Sequence, residues 1–136
     1  MDIYIKPTAK NIKLPEYDNR YASFSSFFAA ETVVIEPNQS AKVSLGIKVQ
    51  LPKKFFLLLF PQFSGLIAES QVVECDNFNE LSIVFHNPDN QSIVIEKDIR
   101  VAIGAIRQKY QVSWRVVDQI LTFDERRKIN LVVKDE

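Results

Sequence analysis

The fold is decided by residues 43–50, which read VSLGIKVQ. Apolar residues take every second position there, and a period of two places them on one face of a strand. The apolar run FFLLLF follows at 55–60, bounded by Lys54 and Pro61. It is far shorter than the roughly 20 residues that cross a bilayer. Both stretches therefore predict β-strands with a buried face.

The rest of the chain agrees with an all-β domain. Short β-branched and aromatic runs recur between turn residues, and helical periodicity is hard to find. The Asn87-Pro88-Asp89-Asn90 turn predicts that residues 81–86 and 92–95 pair as a hairpin. Residues 10–30 are predicted to form an irregular loop, and 118–128 a short helical turn. The strands are predicted at 2–5, 32–35, 41–50, 55–60, 71–73, 81–86, 92–95, 101–107, 112–117 and, with a partner to be found, 129–133.

Length and composition restrict the function classes. A chain of 136 residues with 46% hydrophobic content forms one domain, 1–136. Lys plus Arg and Asp plus Glu both total 17, so no bulk charge favours nucleic acid or an acidic membrane as a partner. Cys75 is the only cysteine, which excludes an internal disulfide and, with no secretory leader in view, predicts an intracellular protein.

Five segments in order and at matching spacing resemble the homotrimeric dUTPase family. They read KLPEY at 13–17, VSLGIKVQLP at 43–52, SGL at 64–66, ELSIVFHN at 80–87 and RVA at 100–102. The resemblance covers about residues 14–118. It implies a dUTPase-like distorted jelly-roll barrel, a homotrimer and active sites at the subunit interfaces.

The same resemblance locates two positions where the chemistry of the family is missing. The motif Ala-Gly-aromatic-Asp-Leu falls on residues 22–26, so Ser25 replaces the Asp that helps to organise magnesium. The motif Pro-Arg-Ser-Gly-Leu falls on residues 62–66, so Phe63 replaces the phosphate-binding Arg. An apolar ring cannot supply the charged, bidentate donor that holds a phosphate.

The third motif, which carries the water-activating base and the stacking Tyr, falls on residues 73–80. In the gapless register Glu74 takes the place of the base and Asn77 that of the Tyr. A shifted register instead gives Asp76 as base and Phe78 as stacking ring, and the sequence leaves both open. The stretch between Leu66 and Glu74 is also several residues shorter than the family usually has.

An active enzyme would, by resemblance, bind its substrate through Ser64, Gly65, Phe78 and Arg100. Arg100 remains from the fourth motif, but no glycine follows Gly104, so we expect a tail, 119–136, without the glycine-rich closing arm of the family.

These losses predict a catalytically inactive, dUTPase-like interaction or regulatory protein, similar in kind to the dUTPase-related early proteins of adenoviruses. We expect a viral source, a location in the host cytoplasm or nucleus, a protein partner of unknown identity, and neither cofactor nor metal. The predicted interaction surface consists of Phe24, Phe27, Phe28 and Phe63. The alternative is a divergent dUTP pyrophosphatase that uses Mg²⁺.

Overall fold

The structure, a computed structural model, describes residues 1–128. The described chain contains one short helix, α1 (Phe123–Lys128), and short strands distributed over residues 4–108. The strands are β1 (Tyr4–Pro7), β2 (Glu16–Tyr17), β3 (Ser25–Phe28), β4 (Val33–Ile35), β5 (Ser40–Ser44), β6 (Ile47–Gln50), β7 (Phe55–Pro61), β8 (Gln71–Val73), β9 (Ser82–His86), β10 (Ile93–Ile95) and β11 (Arg100–Gln108).

All strand pairs are antiparallel. A five-stranded sheet has the order β2-β3-β11-β7-β8, and three two-stranded pairs, β1-β6, β10-β4 and β5-β9, close the barrel around it. Side chains from every sheet meet in one core, which includes Ile35, Val43, Leu59, Phe85 and Ile95. The all-β, jelly-roll-like architecture predicted from the sequence is confirmed. None of the described helices is long and apolar enough to span a membrane.

The predicted strand 41–50 is interrupted at Gly46. Its φ of +72° lies in the left-handed region, and a Cβ there would come within 2.8 Å of the Ile12 side chain and 2.9 Å of Ala30. Only glycine fits this position. The bend divides one alternating stretch between two sheets, because β5 pairs with β9 and β6 pairs with β1.

The predicted hairpin between residues 81–86 and 92–95 is wrong. β9 pairs with β5, and β10 pairs with β4, so the turn leads the chain from one sheet to another. Asn87 fixes this crossing: its side chain is fully buried, and its Nδ2 donates to the carbonyls of Ile35 (2.9 Å) and Gln91 (2.8 Å).

The predicted irregular loop 10–30 in fact contains β2 and β3. β3 lies inside the large sheet, where it pairs with β11 on one side and β2 on the other. The predicted strand 112–117 is not formed, and the helix covers only residues 123–128 of the predicted 118–128. The prediction for 129–133 lies outside the described residues.

Candidate functional site

Glu74, the position of the base in the gapless register, forms an ion pair with Lys109. Glu74 directly follows β8, and Lys109 directly follows β11, where its backbone N–H donates to the Lys54 carbonyl at 2.7 Å. The Nζ of Lys109 lies 2.6 Å from Oε2 of Glu74 and 3.7 Å from the sulfur of Cys75. The hydrogen bond to Glu74 raises the pKa of Lys109, which therefore remains cationic.

Asp76, the base of the shifted register, is an exposed turn residue. The backbone N–H of Asn77 donates to the Glu74 carbonyl at 3.1 Å, which closes a turn around Asp76. Phe78, the stacking ring of the shifted register, is 63% exposed and faces strands β1 and β6 of its own chain. The turn itself continues in the next residues, because Oδ1 of Asn77 accepts from the N–H of Asn79 at 3.0 Å.

Ser64 and Gly65 form the tip of a tight turn after β7. The N–H of Leu66 donates to the Phe63 carbonyl at 3.3 Å, and Gly65 has a φ of +85°. A positive φ at the third position is the signature of a type II turn, which requires glycine there. The retained Gly65 is thus explained by the backbone, and it needs no phosphate to account for it.

Arg100 is the first residue of β11 and lies beside a carboxylate that the motifs did not indicate. Its guanidinium is 3.6 Å from Oδ2 of Asp18, and the buried Ser26 hydroxyl donates to Oδ1 of the same residue at 3.2 Å. Asp18 therefore draws Arg100 towards β3. The arrangement is an exposed ion pair, which contributes at most about 1 kcal/mol to stability.

The predicted site residues fall into two groups at opposite ends of one strand. Arg100 begins β11, and the 63–66 turn follows β7 at the same end, where the Gln62 N–H bonds the Val101 carbonyl. Lys109 and its partner Glu74 lie beyond the other end of β11. At about 3.3 Å for each residue, nine steps separate the two ends by roughly 30 Å. One chain does not bring the groups together, so a combined site requires a second chain.

The predicted aromatic interaction surface is wrong for Phe27 and Phe28, which are buried, whereas Phe63 is partly buried. Phe27 and Phe28 are only 5% and 7% exposed, and Phe63 packs against the core. The fourth, Phe24, is 36% exposed and packs edge-on against the Phe60 ring, with centroids 6.1 Å apart. Phe27 lies in the core because β3 is inside the large sheet, and Phe63 packs against the core from the turn after β7.

A different segment exposes apolar side chains. Residues 110–123 follow the last strand and carry seven large apolar residues at 60% exposure or more. They are Tyr110, Val112, Trp114, Val116, Val117, Ile120 and Phe123. Apolar exposure of this density in a folded protein marks a surface that another molecule covers.

Carboxylates are too dispersed to hold a magnesium ion by themselves. Mg²⁺ takes six oxygen ligands in near-octahedral geometry. Among residues 1–128 no three side chains of Asp, Glu, His or Cys lie close enough to bind a metal together. A magnesium ion here would take most of its ligands from the phosphates of a bound nucleotide and from water.

Two residues of the site, Lys109 and Asp18, were missed by sequence reasoning. Lys109 meets Glu74 only because β8 and β11 both flank β7, and Asp18 meets Arg100 only because β3 pairs with β11. Neither contact has a short-range signal, since the partners are 35 and 82 positions apart.

The fold is a jelly-roll-like barrel in which Arg100 and the 63–66 turn lie at one end of β11, and Glu74 with Lys109 lies at the other. Residues 10–123 match the family model of dUTPase, so the chain belongs to the dUTPase family.

Curated relatives match most of the chain. The deoxyuridine 5'-triphosphate nucleotidohydrolase of Alkaliphilus metalliredigens is 28% identical in an alignment of length 127 that covers 88% of each chain. The enzyme of the same name from Leptospira interrogans is 24% identical in an alignment of length 136 that covers 93% of each chain.

Solved structures share the fold at lower identity. The dUTPase of Staphylococcus bacteriophage 80alpha superposes with a TM-score of 0.74 at 20% identity, over 89% of this chain and 99% of that one. A mutant dUTPase of phage phi11 of S. aureus, whose structure describes the coordination of a structural Mg(II) ion, gives 0.75 at 18% identity, over 90% and 100%.

Proposed function

We propose that this chain is a non-hydrolysing member of the dUTPase family that acts by binding another protein. The observation that carries the first half is the ion pair of Glu74 with Lys109 at 2.6 Å. Hydrolysis needs a carboxylate that is free to orient water, and a cation that gathers the phosphates. Here the carboxylate is already engaged, and Phe63 occupies the position of the cation.

The losses act on separate requirements of the reaction, so they add to each other. Phe63 is partly buried against the core and offers no donor, and Ser25 pairs with Gly104 inside the large sheet. Removing one preorganised donor typically costs about 10²–10³ in rate. Ser25 and Phe63 stand in place of two charged groups, and Glu74 is engaged by Lys109. Together these changes leave little turnover to detect.

Exposed apolar surface supports the second half of the proposal. Seven large apolar side chains between residues 110 and 123 are at least 60% exposed, and Trp114 is 93% exposed. Aromatic residues, Trp above all, are the usual anchors of protein interfaces. The fold also has precedent for such a role, since the phage 80alpha dUTPase is described as controlling the transfer of virulence genes. A trimeric state, a viral source and an intracellular setting belong to this proposal.

Affinity isolation with three baits tests the interaction. The wild-type chain is compared with a Trp114→Ala, Ile120→Ser variant and with a Val34→Ser, Val94→Ser control, whose valines are also exposed but lie on the barrel. We expect one partner that the wild-type and control chains retain and the segment variant loses. Retention by all three baits, or by none, would contradict a role for residues 110–123.

A divergent magnesium-dependent dUTP diphosphatase is the second candidate, and the comparisons favour it. The curated relatives named above are all deoxyuridine 5'-triphosphate nucleotidohydrolases. In this reading Glu74 or Asp76 activates water, and Ser64 and Arg100 of a neighbouring chain hold the phosphates. Lys109 would then be a positioning residue that orients Glu74.

Two matched variants separate the candidates and the two registers. In the hydrolase reading, Glu74→Gln abolishes pyrophosphate release from dUTP if the gapless register holds, and Asp76→Asn does so if the shifted register holds. In our proposal the wild-type chain and both variants give the same background rate. Both residues are exposed, so neither change threatens the fold.

A further inference from the structure

Two lysines face each other across an antiparallel strand pair at the outer surface of the barrel. The register of β1 and β6 sets Lys6 opposite Lys48 and Tyr4 opposite Gln50. All four side chains are exposed and alternate with inward residues, so they share one face. Residues directly opposite on such strands have Cβ atoms about 4.5–5.5 Å apart, and like charges there are destabilising.

No carboxylate within residues 1–128 comes into ion-pair distance of either ammonium group. Glu80 is attracted by Lys42 and Lys48. Its carboxylate accepts hydrogen bonds from Ser44 and Thr8, which lower its pKa, and it forms no ion pair with either lysine of the pair. The lysine pair therefore remains available to an external anion.

An aromatic wall stands beside the lysines. Phe78 is 63% exposed and Tyr4 67%, and the two rings border a groove with a volume of about 240 Å³. Ile5 and Val49 complete its apolar lining. The turn at 74–77 and the side-chain bond of Asn77 fix the backbone that presents Phe78. An exposed ring held in place over a groove is suited to stack on a planar ligand.

From this juxtaposition we propose that the groove between Phe78 and the Lys6–Lys48 pair binds a small aromatic phosphate monoester. The lysines receive the phosphate, and the rings of Phe78 and Tyr4 contact the aromatic body. The groove volume of about 240 Å³ admits one ring with one anionic group. This inference is independent of the proposed function, because one chain forms the whole groove and no hydrolysis is involved.

The affinity follows from the size of the ligand. Phenyl phosphate has few heavy atoms, and at ordinary ligand efficiency this predicts a Kd on the order of 1 mM. Inorganic phosphate lacks the ring and phenol lacks the charge, so each should bind at least about tenfold more weakly if both contacts contribute. Salt should weaken phenyl phosphate binding, since the lysine pair is exposed.

Titration of the full ¹⁵N-labelled chain with phenyl phosphate, followed by NMR, tests the site. We expect saturable shifts at Lys6, Lys48 and Phe78, and a loss of at least about tenfold in affinity for Lys48→Gln and for Phe78→Leu. Lys53→Gln, which removes an exposed lysine outside the groove, should bind like the wild type.

A stability measurement on the same variants distinguishes a loss of the binding site from a loss of folding. Lys48→Gln removes a like-charge contact, so its melting temperature should equal or exceed that of the wild type. Weakened binding in a fully folded Lys48→Gln variant supports the site. Equal shifts with phenyl phosphate, phenol and inorganic phosphate, or unchanged binding by Lys48→Gln, would overturn the proposal.

Discussion

Replacement of Gly104 by alanine tests how closely the large sheet packs on the core. Gly104 lies in the middle of β11, and a Cβ there would stand 2.6 Å from Cε2 of Phe27, 3.0 Å from the Leu58 carbonyl oxygen and 3.1 Å from Cδ1 of Leu57. Carbon atoms in contact normally stay about 3.5–4.0 Å apart. The added methyl group must therefore displace a buried ring and a paired strand.

The expected cost is about 1–3 kcal/mol, the usual range for an overpacked core. It exceeds the few tenths to about 1 kcal/mol that Gly→Ala returns by restricting the unfolded chain. For a domain of this length the net loss lowers the melting temperature by roughly 3–10 °C. Urea denaturation followed by circular dichroism measures it, with an unchanged m-value as the sign that the native state stays compact.

A double-mutant cycle identifies the atom that is displaced. Phe27→Leu removes the ring edge nearest the new methyl group, so Gly104→Ala should cost less in that background than in the wild type. Phe27 and Gly104 also line a cavity of about 300 Å³, and rotation of the Phe27 ring into this cavity would relieve the clash. Unchanged stability of Gly104→Ala would refute the clash and show that this cavity absorbs the methyl group.

Three further predictions concern the turn, the exposed segment and pH. Asn87→Ala leaves the Ile35 and Gln91 carbonyls without their donor, so the free energy of unfolding should fall by about 2–3 kcal/mol in urea titrations, whereas Asn90→Ala, at an exposed position, should change it by less than about 0.5 kcal/mol. Trp114 is the only tryptophan and is 93% exposed. If residues 110–123 pack against a second copy of the chain, the fluorescence of Trp114 should shift to shorter wavelength as the protein concentration rises, together with the mass from sedimentation. A constant spectrum with a monomeric mass would contradict this. Glu80 has a pKa below its ordinary value of 4.5 because Ser44 and Thr8 donate to it, so its contribution is present above that pH and lost as pH falls through the lowered pKa. The difference in stability between the wild type and Glu80→Gln, under about 1 kcal/mol for this exposed group, should therefore shrink in urea titrations as the pH is lowered below 4.5.

The strands built on apolar or alternating runs were predictable, because both patterns can be read directly in the sequence. β8 was predicted at its observed bounds, 71–73, and β7 to within one residue. β3 was missed because its two phenylalanines point to opposite faces and both are buried: Phe27 lies in the core, and Phe28 lies under the Lys13 ammonium, 4.2 Å from its ring centroid. A strand covered on both faces has no period of two to detect.

Pairing partners and site contacts were less predictable, since they depend on which strands become neighbours. The Asn87 turn looked like a hairpin, yet its buried amide carries the chain between two sheets. The family motifs located Glu74, Ser64 and Arg100 in the sequence, but only the sheet order shows that they lie at two ends of β11. Phe27, Phe28 and Phe63 were predicted to form part of an exposed surface, but the fold buries the first two and partly buries the third.

The most direct test of the central claim is a pyrophosphate-release assay with dUTP and Mg²⁺, run at high concentration of the assembled chain. The no-protein background and the Glu74→Gln and Asp76→Asn variants serve as controls. Our proposal predicts that the wild-type chain releases pyrophosphate no faster than these controls. Release by the wild type that either substitution abolishes would contradict it and establish a divergent dUTP diphosphatase.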